Sequence, residues 1–146
     1  MSSKGDTYEN QLLACIFQNA NIPLVGDATG IRGSTVAGNL YLSLHTADPG
    51  EAGTQTTNEI SYTGYVRVAV VRSAGGFTVT GNSVSPTANV DFPVCTAGSG
   101  TATHFAIGTD VSGTGKILYY GPITPSIAVS VSVIPRITTA STVTES

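Results

Sequence analysis

The stretch LYLSLH, Leu40–His45, decides how the chain is read. Leu40, Leu42 and Leu44 fall on one side of an extended chain and Tyr41, Ser43 and His45 on the other, the two-residue period of a half-buried strand. Turn chemistry follows at once: HTADPGEAG, residues 45–53, places Pro49 and Gly50 after Asp48. Alternation resumes in YVRVAVV at 65–71, with Val66, Val68 and Val70 on one side and Tyr65, Arg67 and Ala69 on the other. Further runs of strand character are FTVT at 77–80, NVDFPV at 89–94, ATHFAIG at 102–108, KILYY at 116–120 and IAVSVSVI at 127–134. Between them lie the Gly- and Pro-containing stretches AGG, TGN, AGSG, VSGTG and GPITP. About seven or eight short strands with such punctuation predict a mainly β chain, an antiparallel β-sandwich or a jelly-roll-like barrel. Pro93 inside its run marks an edge strand or a bulge.

Upstream the period changes. Asp6 followed by Glu9 has the form of a helix N-terminal cap with a returning carboxylate, and Tyr8, Leu12, Cys15 and Ile16 share a helical face. Asn19, Asn21 and Pro23 end that helix, and residues 24–38, with four Gly, read as a connecting loop. The expected layout is therefore an N-terminal helix and loop over 1–38, a β-sandwich core over 39–136 and a polar tail over 137–146. The tail, TTASTVTES, offers Val143 alone to a core and is expected to fray unless a partner holds it.

Composition narrows the function. Of 146 residues, 10% are charged, where about 25% is usual, and 15 Ser with 21 Thr take their place. A net charge of −3 with six scattered basic residues builds no positive stripe, so a nucleic-acid partner is not expected. The longest apolar-rich stretch, 127–134, is too short to cross a membrane, and the N-terminus lacks the form of a secretory signal, so the chain is expected to stay in the cell that makes it. Cys15 and Cys95, 80 positions apart, read as two buried thiols, with a disulfide not indicated.

The search for chemistry finds little. His45 and His104 lie at a strand end and within a strand, and no Ser sits in a G-x-S-x-G elbow. SGTGKIL at 112–118 departs from a phosphate loop at two positions, Asp110 and Ile117, and reads as a hairpin turn. His45, Asp48 and Glu51 are too few for a metal site, and Asp91 has no second carboxylate beside it. No catalytic, metal or cofactor-binding residue is expected. Arg67, in its Val-rich strand, is the candidate for an ion pair with Glu59 or Asp48, and Tyr62, Tyr65, Arg67, Tyr119 and Tyr120 are candidate inter-subunit contacts.

Two stretches carry a resemblance. NLYLSLHTADPGEAGTQTTNEISYTGYVRVAV, residues 39–70, resembles the strand, L-H-T-A-D-P-G turn and N-E…Y-x-R strand entry of a family of small tailed-bacteriophage proteins often labelled tail fibre proteins. FPVCTAGSGTATHFAIGTDVSGTGKILYYGPI, residues 92–123, is similar to that family's T-H-F-x-I-G strand and Gly-rich hairpin. The resemblance implies a virion structural role without catalysis, and no site residue is carried over from it. Within a virion, a long fibre is built from repeats, coiled coils or interwoven chains, and this sequence has none. The expectation is a non-enzymatic capsid decoration protein on the outside of the head, in contact with the major capsid protein or tail proteins and with copies of itself. The alternatives are a tail fibre or other tail-associated protein, and a glycan-binding module using the Tyr cluster. Each places the chain in a virion assembled in the host cytoplasm.

Overall fold

The structure, a computed structural model, describes residues 2–26 and 30–146; residues 27–29 of the expected connecting loop lie outside it. The described residues form one helix and nine strands, all paired antiparallel where a register is recorded. The chain divides into two compact units. One comprises Met1–Asn39, Val70–Asn89 and Thr138–Ser146; the other comprises Leu40–Ala69 and Val90–Ile137.

The first unit holds α1 (Asp6–Gln18), β3 (Phe77–Thr80), β4 (Ser83–Pro86) and β9 (Val143–Thr144). The helix is where the sequence places it, but its cap is Gly5, in extended conformation and without a side-chain cap, so Asp6 is the first helical residue. There its carboxylate still meets the positive end of the helix dipole, as does that of Glu9. The buried stripe is Glu9, Leu13 and Phe17 rather than the expected Tyr8, Leu12, Cys15 and Ile16, a rotation of one residue. Phe17 sets the rotation by meeting Phe77 edge-on, centroids 5.0 Å apart. At the helix C-terminus, Asn19 takes the left-handed conformation, φ 60°, and Arg72 donates to the carbonyls of Cys15 and Ile16 at 2.6 Å each. A cation from far along the chain thus occupies the place where the helix itself has no basic residue.

FTVT forms β3 as expected, and a two-residue Gly81–Asn82 turn returns the chain as β4, which the sequence did not signal because SVSP carries one apolar branched side chain. The tail does not fray. Its Val143–Thr144 pairs with Val84–Ser83 as β9, Glu145 and Asn82 exchange hydrogen bonds at 2.9 Å, and Lys4 reaches Glu145 at 3.0 Å. The partner that the tail needs is its own β4.

The second unit carries β1 (Asn39–His45) from Leu40 on, the start of β2 (Val68–Val71), and β5 (Val90–Asp91), β6 (Gly100–Gly108), β7 (Ile117–Val129) and β8 (Arg136–Ile137). The four-stranded sheet has the order β2-β1-β6-β7, with two open edges, so the sandwich-like description fits and the closed barrel does not. Two expected strands, KILYY and the start of IAVSVSVI, are one strand, β7. It bulges opposite Thr103, so that Ala102 faces Ile127 while His104 faces Pro122. Residues 130–134, expected as strand, turn instead, with Ser132 at φ 73°. β1 is not half-buried: Leu42 and Leu44 are covered on one face, and Ser43 and His45 are fully buried on the other.

Candidate functional site

Two buried polar centres lie in the second unit. The first begins at β1, where His45 stands opposite His104 of β6. His45 Nδ1 lies 2.8 Å from the carbonyl of Thr57, which can only accept, so Nδ1 carries the proton. Nε2 is then free to accept from the Ser43 hydroxyl at 2.9 Å. Burial pushes the His45 pKa down, partly opposed by the Thr57 carbonyl and by Glu59. A serine and a histidine within hydrogen-bond reach have the form of a nucleophile and its base, but both are fully buried, so no substrate reaches the oxygen. His104 is half-buried and bonded to the Thr103 hydroxyl at 2.9 Å.

The second centre lies where the loop before β2 meets the 109–116 turn between β6 and β7. Arg67 donates Nε to Glu59 Oε1 at 2.7 Å and Nη2 to Oε2 at 2.8 Å, and it also reaches the carbonyls of Asp110 and Gly113 at 3.0 and 2.7 Å. Tyr65 donates to Glu59 Oε1 at 2.9 Å and accepts from the Leu44 N–H. The hydrogen bonds to Glu59 hold the guanidinium pKa up, and burial pushes the Tyr65 phenol well up. Of the two sides expected for 65–71, Arg67 lies inside and Val66 outside, and the strand begins only at Val68. Carboxylate, guanidinium and phenol satisfy one another, so the centre orients a turn and offers neither a free acid nor a free base. A shallow cavity of about 190 Å³ opens here, lined by Glu59, Tyr65 and Arg67 and by the exposed Val66 and Val111.

Gln55 completes the support of that turn. Its Oε1 accepts from the Asp110 N–H at 2.9 Å, and its side chain fills space that Gly108 and Gly115 leave: a Cβ at either glycine would come within 2.2 or 2.1 Å of it. Nothing in the sequence marks Gln55 within the polar run TQTTNE, because the signal is the pair of glycines more than fifty positions away. The remaining candidates fall elsewhere. Asp48 accepts from the Gly50 N–H at 2.7 Å and so caps its own turn. Among the described residues no cluster of three or more His, Cys, Asp or Glu could hold a metal. Cys15 and Cys95 are free thiols, Cys95 buried beside the carbonyls of Ala97 and Gly98.

Of the five candidate contact residues, the structure brings three together. Tyr62 bonds the Pro93 carbonyl at 2.7 Å and packs edge-on against Tyr65, which stacks on Phe92 and adjoins Arg67. Tyr62 and Arg67 are buried and Tyr65 is half-buried, with its ring stacked on Phe92. Tyr119 and Tyr120 stand apart on β7, both half-buried, on the edge strand of the sheet.

The chain from residue 4 to residue 145 matches the family described as Podophage GP4 fiber I protein gp80. The chain belongs to this family. No curated protein matches it. For a podophage fibre I family member the closed polar centres are in keeping with a phage structural protein, in which buried ion pairs and hydrogen bonds fix loops and turns. In this member no described helix is long and apolar enough to cross a membrane.

Proposed function

We propose that the chain is a non-enzymatic structural component of a podophage tail fibre, assembled with copies of itself and with other tail proteins. The observation that supports the reading is the extent of the family match, residues 4–145, with a fibre protein family. The expectation of a head decoration protein rested on missing repeats and low charge. Both properties describe a compact piece of a fibre equally well, because the absence of repeats excludes a long shaft made by this chain and not a globular part beside one. A glycan-binding role is the weaker reading, since Tyr62 faces inward. Gold-labelled antibody on intact particles tests the location. Label at the tail with a few to a few tens of copies per virion supports the fibre reading, and label over the head with hundreds of copies overturns it.

A further inference from the structure

The four-stranded sheet ends at β7, and the geometry of that edge points to a partner. Pro122 lies opposite His104, with Gly121 opposite Phe105 and Tyr120 opposite Ala106. Antiparallel neighbours alternate between pairs that exchange two backbone hydrogen bonds and pairs that exchange none. Proline has no N–H, so His104–Pro122 is a pair of the second kind and the exchange falls to Phe105–Gly121. By the same alternation the N–H and C=O of Tyr120 point away from β6, to the open edge. Among the described residues no backbone hydrogen bond from outside the sheet reaches Tyr120.

Edge strands are ordinarily blunted by charge, by proline, by bulges, by shortness or by cover. β7 spans 13 residues, ILYYGPITPSIAV, with no charged side chain. Its prolines, Pro122 and Pro125, and the bulge opposite Thr103 all lie beyond Tyr120, and the register shift at 117–119 lies before it. The opposite edge strand, β2, has four residues and is bracketed in sequence by Arg67 and Arg72. At four residues β2 offers only a short edge, and pairing two copies of β7 brings no charged side chains together.

We propose that β7 is a self-association edge and that its partner is a second copy of this chain, paired antiparallel about a two-fold axis through Tyr120. Such an axis sets a residue opposite itself, so the outward N–H of Tyr120 meets the outward C=O of the same residue in the other copy, and the reverse. The edge is self-complementary at that position without any further group. Pro122 and Pro125 limit the register, since neither can donate to a ladder. The proposal deepens the fibre reading by naming a partner and fails separately from it: self-association is measured on the purified full-length chain, location on the particle.

Sedimentation velocity across a wide concentration range, with amide hydrogen exchange on the same samples, tests it. The expected result is a two-fold rise in mass with concentration, accompanied by protection of the Tyr120 amide. Tyr120→Pro deletes a donor that β6 does not use and should weaken association about tenfold or more. Pro122→Ala restores an outward donor and should tighten it about tenfold, which keeps the test decisive should Tyr120→Pro misfold. A chain that stays monomeric throughout, an assembly in which the Tyr120 amide stays unprotected, or association unchanged by Pro122→Ala overturns the proposal. So does β7 protection that arises only on adding a different virion protein.

Discussion

Two arginines in the second unit grip a carboxylate with the same fork. Arg67 holds Glu59 through Nε and Nη2, and Arg136 holds Asp91 through the same two atoms, with Nη2–Oδ2 at 2.8 Å. Their surroundings differ. The Arg67 and Glu59 side chains are 3% and 15% exposed, and those of Arg136 and Asp91 are 53% and 46% exposed. Arg67 also carries two backbone carbonyls of the 109–116 turn, whereas Arg136 bridges two adjacent strands, β5 and β8, that already pair through their backbones. Geometry alone therefore does not rank the pairs. Burial does, because a charge left without its partner is tolerated in water and is not tolerated away from it.

The largest expected effect follows from that ranking. Arg67→Ala leaves the Glu59 carboxylate with the Tyr65 hydroxyl but no cation, and two turn carbonyls without their donor, and should cost about 3–5 kcal/mol in urea unfolding. A double variant, Arg67→Met with Glu59→Leu, removes both charges and should recover much of the loss, since a paired buried charge carries a desolvation cost that an apolar pair does not. A loss below about 1 kcal/mol for Arg67→Ala would place the buried pair with surface ones and break the comparison.

How far this centre was legible depends on what each residue announces by itself. Arg67 stands out as a charge in a valine-rich run that points to Glu59 or Asp48 as its partner, and the structure selects Glu59. The rest depended on tertiary placement. The Asp110 and Gly113 carbonyls carry no sequence signal, because every residue has one. The strand runs in LYLSLH, FTVT and ATHFAIG were readable from a two-residue period, whereas β9 was not, because two residues are too few to show a period. The burial of Ser43 and His45 escaped the pattern for a related reason: alternation says which residues share a face and not whether both faces are covered.

The His45 centre is the intermediate case, buried but neutral. Burial holds the folded pKa of His45 below its ordinary value of about 6.5, so the unfolded chain binds the proton more readily. Stability is then full above about pH 6.5 and falls, by up to about 1.4 kcal/mol per pH unit, as the pH drops from there toward the folded pKa. Glu59, Arg67 and His104 act on the same imidazole, Glu59 against this trend and the other two with it. His45→Gln should lower stability at pH 7.5 by about 1–2 kcal/mol and flatten the decline between pH 6.5 and 5. If the decline persists unchanged in His45→Gln, another group carries it.

Gln55 sharpens the comparison from the neutral side of the turn. Its Oε1 takes the Asp110 N–H, but its Nε2 is buried with no hydrogen-bond partner among the described residues. Gln55→Met keeps the shape, loses one hydrogen bond and removes one unsatisfied donor. These changes oppose each other, so the net cost should be about 1 kcal/mol or less, against the several kcal/mol expected for Arg67→Ala at the same turn. A cost equal to that of Arg67→Ala would mean that filling the space at Gly108 and Gly115, rather than charge, holds the turn.

The smallest effect belongs to the exposed fork. The hydrogen bonds from Arg136 hold the Asp91 carboxyl below its ordinary pKa, and the folded group sheds its proton more readily than the unfolded one. The contribution is therefore present above about pH 4 and lost as the pH falls through the lower folded value. Both side chains are open to solvent, so water replaces the lost partner at once in Arg136→Gln. The variant should melt within experimental error of the parent at pH 7, with any difference shrinking further as salt is raised from 0.05 to about 0.5 M. The control that makes this informative is Arg67→Ala under the same conditions, whose loss should respond far less to salt because a buried pair is screened much less than an exposed one. A salt-insensitive loss for Arg136→Gln comparable to that for Arg67→Ala would show that the Asp91–Arg136 pair is shielded from water in solution, and burial would then no longer separate the two forks.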